Sequence, residues 1–121
     1  GCVVFSPLAQ GMLTQKYFAG IPEDSRAAQP KGFLRPEHVV AQREKIRLLS
    51  DLATTSGTAL NHLAIQWTLR SAAVTSAIIG ARNVAQLDDS LDALHSTIPS
   101  EAMLAAIDAI SPIGLKKSAE G

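Results

Sequence analysis

The sequence predicts an α/β fold carried on parallel strands, but with too few strands to finish a sheet. Three observations predict it. Two apolar, β-branched runs, Cys2 to Phe5 and Val74 to Ile79, read as strands. The first is continuously apolar, as suits a strand covered on both faces in a parallel sheet. The remaining periodic segments carry apolar residues at helical spacing, in the order strand, long loop, two helices, strand, two helices. Two parallel strands alone leave backbone donors and acceptors unpaired along both edges. The missing strands are expected from another chain, a swapped copy, or an N-terminal part.

Each element follows from local chemistry. Ser6-Pro7 bounds the first strand, and Ser6 to Pro36 carries Gly11, Gly20, Gly32, Pro22 and Pro30, the punctuation of a long loop over 7–36. Unstructured loops of that length are commonly functional or disordered. One or two helical turns are expected within it, from Gly11 to Phe18. The first helix spans Glu37 to Thr55, with Pro36 at its first turn and Gly57 ending it. Val39, Ile46, Leu49 and Ala53 form its apolar face, with Val40 and Leu52 alongside. The second runs from about Ala59 to Leu69 with Thr58 as candidate N-cap and Leu60, Leu63, Ala64 and Trp67 as its stripe. Trp67 is expected in the core, and Cys2 as a buried small hydrophobe. Gly80 ends the second strand. The third helix starts at Asn83, with Gln86 at capping-box spacing and Val84, Leu87, Leu91 and Leu94 as its apolar face. The last begins near Ser100, buries Met103, Ala106, Ile107 and Ile110, and stops at Ser111-Pro112. A polar tail over 115–121 is expected to fray.

Composition narrows the function. The 121 residues carry eleven basic and eleven acidic groups, a formal net charge of zero. That provides no field to steer nucleic acid or an anionic membrane, and neither partner is expected. No apolar run is long enough for a spanning helix, and the N-terminus has no secretory pattern, so a cytoplasmic protein is expected. The single cysteine makes no internal disulfide or metal-site spacing. His38, His62 and His95 share no metal spacing and read as structural or surface residues. Asp88, Asp89 and Asp92 read as a solvated helix face, and no metal is expected. The chain opens directly into a strand without an initiator Met, as the interior of a longer chain would.

Three ordered blocks resemble the C-terminal part of the aldo-keto reductase superfamily. They are Phe5-Ser6-Pro7-Leu8-Ala9-Gln10-Gly11 and onward through Tyr17 and Gly20 to Arg26, then Leu63-Ala64-Ile65-Gln66-Trp67-Thr68-Leu69-Arg70. The third is Ile79-Gly80-Ala81-Arg82-Asn83 with Gln86-Leu87-Asp88-Asp89-Ser90. The branch they are most similar to holds bacterial glyceraldehyde-phosphate-type reductases and potassium channel β subunits. The resemblance implies that residues 1–121 are the C-terminal portion of a (β/α)8 TIM barrel, incomplete on their own. Val3 to Phe5 would be its seventh strand and Ala77 to Ile79 its eighth. Phosphate sites in such barrels are often built from the loops after these two strands.

The same resemblance implies an NADP(H) site. Phe5 matches an aromatic position against the nicotinamide. Ser6, Pro7 and Leu8 match the segment at the ribose and pyrophosphate, which Gln10 and Gly11 continue. Lys16 and Arg26 match cationic positions near the phosphates, with Arg26 on a loop placed to close over bound cofactor. Gly80, Arg82, Gln86 and Asp89 match positions around the adenosine half. The Arg82 guanidinium beside a helix N-terminus suits a 2′-phosphate, which favours NADP over NAD. On residue chemistry alone, Ser6-Pro7 simply ends a strand, Gln86 completes a cap, and Arg82, Lys16 and Arg26 are solvated cations. Two positions depart from the family: Ile79 stands where many relatives have Pro, and Ser90 where many have Asn.

The family's catalytic Asp, Tyr, Lys and His come from the first half of the barrel. No catalytic residue is expected in this chain, and Tyr17 does not match the catalytic tyrosine. The resemblance therefore implies an NADP(H)-dependent reductase of aldehydes or ketones as the parent protein, with this chain alone inactive. Its expected partners are a small carbonyl substrate in the intact protein, and either the missing N-terminal barrel half or a second copy of the chain. The alternative is a non-catalytic NADP(H)-binding regulatory module or a self-associating barrel remnant.

Overall fold

A computed structural model describes residues 1–14, 23, 28, 30 and 35–112. Strand β1 (Cys2–Phe5) and strand β2 (Val74–Ile78) pair in parallel, with Val3 opposite Ser76, Val4 opposite Ala77 and Phe5 opposite Ile78. The register is irregular between Cys2 and Val3. Between the strands the chain makes a 3-10 turn at Ala9–Gly11 and two helices, α1 (Pro36–Thr55) and α2 (Leu60–Thr68). After β2 come α3 (Val84–Asp92), a 3-10 turn at Ala93–His95, and α4 (Glu101–Ile110). The described residues thus form a small α/β unit of two parallel strands and four α-helices, as expected of part of a barrel. Among them no helix is long and apolar enough to cross a membrane.

The helix ends follow from their residues. Pro36, with no N–H to lose, opens α1. At its other end Gly57 has φ of 77°; its N–H donates to the Thr54 carbonyl and the Thr58 N–H to the Ala53 carbonyl, both over 3.0 Å. This is the Schellman pattern, in which a left-handed glycine satisfies the orphan carbonyls of the last turn. It also corrects the expectation for Thr58. That residue is still part of the closing turn, one position too early to cap α2, and its Oγ1 is buried without a hydrogen-bond partner. Ala59 occupies the N-cap position instead, with no side-chain cap. Ser100 caps α4 by accepting from the Met103 N–H over 3.2 Å.

The core is helical and lies beside the sheet. Ile46 and Ala53 of α1, Leu60 and Leu63 of α2, and Ile107 of α4 form it, with Leu49, Leu52, Met103 and Leu104 packed around them. Met12 and Leu13, from the loop after β1, pack on the same cluster. Several expected core positions are only partly buried at its margin, Trp67 and Met103 packed against the cluster, and one is exposed. Trp67 is half-buried, with the Arg70 guanidinium 3.7 Å above its ring centre. Met103, Ala106 and Ile110 are half-buried, and Val40 is exposed. Ile65 and the polar Gln66 are buried instead, and the Gln66 amide donates to the Ala93 carbonyl over 2.7 Å.

Two larger corrections share one cause. β1 is exposed along most of its length, including the Cys2 thiol, and Phe5 is 80% exposed. The apolar stripe of α3 is likewise exposed at Val84, Leu87 and Leu91, as is Leu94 in the 3-10 turn that follows. α3 buries Ser90, and Ala93 just beyond it, on the side toward α2. Each strand has one neighbour and one open edge among the described residues, and no described element packs over these apolar surfaces. Of the turns expected from Gly11 to Phe18, one is present at its start, where the Thr14 N–H donates to the Gly11 carbonyl over 3.3 Å, directly after the 3-10 turn at Ala9–Gly11; residues 15–18 and the tail lie outside the described residues.

Candidate functional site

Because β1 and β2 run parallel, the loops leaving their C-terminal ends emerge side by side. They open a cleft of about 970 Å³, lined from Phe5 onward on one side and from Ile78 onward on the other. Ligands of α/β folds bind outside the carboxyl ends of strands, in clefts of this order of size.

The first wall is a tight, strained turn. Ser6, Ala9 and Gln10 have φ of 54°, 48° and 59°, left-handed values that cost a non-glycine residue about 1–2 kcal/mol each. The turn is closed by hydrogen bonds from Ala9 N to Ser6 O at 2.9 Å, Gly11 N to Leu8 O at 3.0 Å and Leu13 N to Leu8 O at 3.1 Å. Met12 and Leu13, set in the core, hold the turn from behind. Strain of this kind persists only where the surroundings over-determine it, and it collects at ligand sites.

The second wall is the segment from Ile79 to Arg82 and the first face of α3. Asn83 caps that helix, its Oδ1 accepting from the Gln86 N–H over 2.9 Å. The Gln86 Oε1 accepts from the Arg82 N–H over 2.8 Å. In a capping box that return bond goes to the cap residue itself. Here it reaches one residue further back and fixes the backbone of Arg82. Gln86 therefore has a capping role while still lining the cleft.

Ten of the residues singled out from the sequence line this one cleft: Phe5, Ser6, Pro7, Leu8, Gln10 and Gly11 on the first wall, Gly80, Arg82, Gln86 and Asp89 on the second. Lys16 and Arg26 lie outside the described residues, as does Tyr17. The two departures, Ile79 and Ser90, also line it, Ser90 as a buried residue. Sequence reasoning missed Thr14 and the start of α2, where Ala59, Leu60 and Asn61 close the floor. Asn61 and its neighbour His62 both bond to Asp89. The signal available for them was a polar pair in the first turn of α2, directly after its apolar Leu60.

Chemically the cleft is a holder. It offers an exposed aromatic ring at Phe5, hydroxyl and amide groups at Ser6 and Gln10, a cation at Arg82 and a carboxylate at Asp89. Its described lining contains no Tyr, Lys, His or Cys, and Asp89 is the one side chain there of an ordinary general acid–base type.

Parallel strands joined by a helical crossover, with a polar cleft at their carboxyl ends, define the repeating unit of α/β proteins, which place their ligands at that end. The family follows from comparison with known proteins. The model of the Aldo/keto reductase family matches residues 1–112, and the chain belongs to that family. It is 39% identical over 112 residues to the L-glyceraldehyde 3-phosphate reductases of Escherichia coli O157:H7 and of strain K12, covering 89% of this chain and 32% of each relative. It is 33% identical over 121 residues to a Schizosaccharomyces pombe protein assigned as a voltage-gated potassium channel subunit beta, covering 97% of this chain and 32% of that one. The chain thus spans about a third of the length of these relatives.

Proposed function

We propose that this chain is the NADP(H)-binding portion of an oxidoreductase that reduces aldehydes or ketones in the cytoplasm. The observation that carries the reading is the convergence of Phe5 to Gly11 and Gly80 to Asp89 on one cleft at the strand ends. Its donor set suits such a cofactor. The exposed Phe5 ring offers a flat apolar surface for a nicotinamide, Ser6 and Gln10 offer polar groups for ribose and pyrophosphate, and Arg82 offers a paired donor for a 2′-phosphate. When bound, NADPH would supply a hydride for the carbonyl carbon. The matching proton needs a donor within hydrogen-bond reach of the carbonyl oxygen. The family resemblance puts that donor in the first half of the barrel, so turnover belongs to a barrel completed by further elements that bring it. Those elements, or a second copy of the chain, would cover the open strand edges and the α3 stripe. A small aldehyde of the kind in the relatives' name, glyceraldehyde 3-phosphate, is the first substrate to try.

The second reading is a non-catalytic NADP(H)-binding regulatory module or a self-associating remnant. It is favoured by the likeness to a protein assigned as a channel subunit. Binding of NADPH by the intact gene product without turnover of any aldehyde would select it.

The deciding experiment is Arg82→Ala in the intact gene product, read by titration with NADPH and NADH. Loss of a charge-assisted phosphate contact should weaken NADPH about tenfold or more and leave NADH nearly unchanged. Equal losses for the two would sink the 2′-phosphate role, and no binding of either by the unmodified protein would sink the cofactor reading itself.

A further inference from the structure

α2 is apolar over most of its length, yet its first turn places Asn61 and His62 side by side. Neighbours on a helix point in different directions and rarely share a partner. These two share one. The Asn61 amide donates to Asp89 Oδ2, and His62 Nε2 donates to Asp89 Oδ1 over 2.9 Å. A carboxylate accepts only, so the imidazole proton sits on Nε2. A negative charge beside the first turn of a helix also suits the helix dipole.

Asp89 itself is 55% exposed, on the wall of the cleft. An aspartate that exposed ordinarily samples several rotamers. With a donor on each oxygen its carboxylate is fixed in one orientation, and about two of its four acceptor positions stay available to a ligand. Neither donor residue was singled out by the family resemblance, and His62 does not line the cleft. We infer that Asn61 and His62 are positioning residues that hold Asp89 as a preset acceptor at the adenosine end of the cleft. The inference rests on the NADP(H) reading. Its physical content is preorganisation: the ligand does not have to order the carboxylate when it binds.

The test uses two halves of the cofactor, 2′,5′-ADP and reduced nicotinamide mononucleotide, titrated calorimetrically into the intact gene product. Loss of one charge-assisted hydrogen bond in His62→Leu should weaken 2′,5′-ADP about tenfold and leave the nicotinamide half within about twofold. His62→Gln, whose amide can donate from nearly the same place, should recover most of the loss. A merely structural role would weaken both halves and would not be rescued. In an Asp89→Ala background, His62→Leu should cost 2′,5′-ADP nothing further, because the two act as one unit. Should His62→Leu not fold, Asn61→Ala carries the same test with a smaller expected loss, about threefold. Equal losses on both halves, failed rescue, or additive losses would overturn the positioning role while the cofactor reading stands. An unmodified protein that binds neither half would overturn both.

Discussion

Ser6, Ala9 and Gln10 take left-handed backbone angles within one short turn, and none is a glycine. Ser6 and Gln10 line the cleft, but Ala9 does not, so Ala9 isolates the strain from ligand contact. Its N–H and carbonyl both serve the turn, bonded to Ser6 O and Met12 N. Glycine there would remove a left-handed penalty of about 1–2 kcal/mol and add about 0.5–1 kcal/mol of chain entropy cost. Ala9→Gly should therefore leave the thermal midpoint of the intact gene product unchanged or raise it. A drop worth more than about 1 kcal/mol, the usual outcome of Ala→Gly in regular backbone, would show that the turn is relaxed. This conformation was not legible in the sequence. Ser-Pro-Leu-Ala-Gln reads as ordinary loop, and the turn's own backbone bonds and the packing of Met12 and Leu13 on the core appear only in the folded chain. The identities of the cleft residues were legible, because they carry the family resemblance. The Asp89 bonds were not, since Asn61 and Asp89 are far apart in sequence and meet only when α2 packs on α3.

Elements were most legible at their ends. Pro36, Gly57, Asn83 and Ser100 all mark real helix boundaries, because capping is local chemistry between residues three or four apart. Thr58 failed as a cap for an equally local reason: Gly57 spends the next residue on closing α1. The cost of that glycine can be measured cleanly. A Cβ built on Gly57 meets nothing within 4 Å, so Gly57→Ala tests backbone strain alone. With φ of 77° the substitution should destabilise by about 1–2 kcal/mol in urea titration, with an unchanged m-value. A loss below about 0.3 kcal/mol would mean that the α1 terminus rearranges to right-handed angles at little cost. Burial was less legible than boundaries. Helical period put Val84, Leu87 and Leu91 on α3, with Leu94 falling in the 3-10 turn beyond it, yet period says nothing about whether a partner covers that face, and all four are exposed.

At the scale of the molecule, that uncovered face and the open strand edges are the same fact. α3 turns Ser90 toward α2 and presents its leucines outward, an arrangement that wins apolar burial only if something packs on the other side. In a closed barrel each strand has two neighbours and the helices form an outer ring over them, so completion would cover both surfaces together. Leu87→Lys with Leu91→Lys separates the two circumstances, because its effect should have opposite character in each. In the 121-residue chain alone these side chains are exposed, so the charges should leave helix content intact. They should also reduce concentration-dependent self-association, read by sedimentation equilibrium. In the intact gene product the same positions would be covered, and burying two ammonium groups there should cost about 3 kcal/mol or more of stability. An intact product that tolerates both lysines without loss would mean that its own barrel leaves the α3 stripe bare. The stripe would then be a surface for a second copy, and the unmodified intact product should associate through it while the double variant stays monomeric.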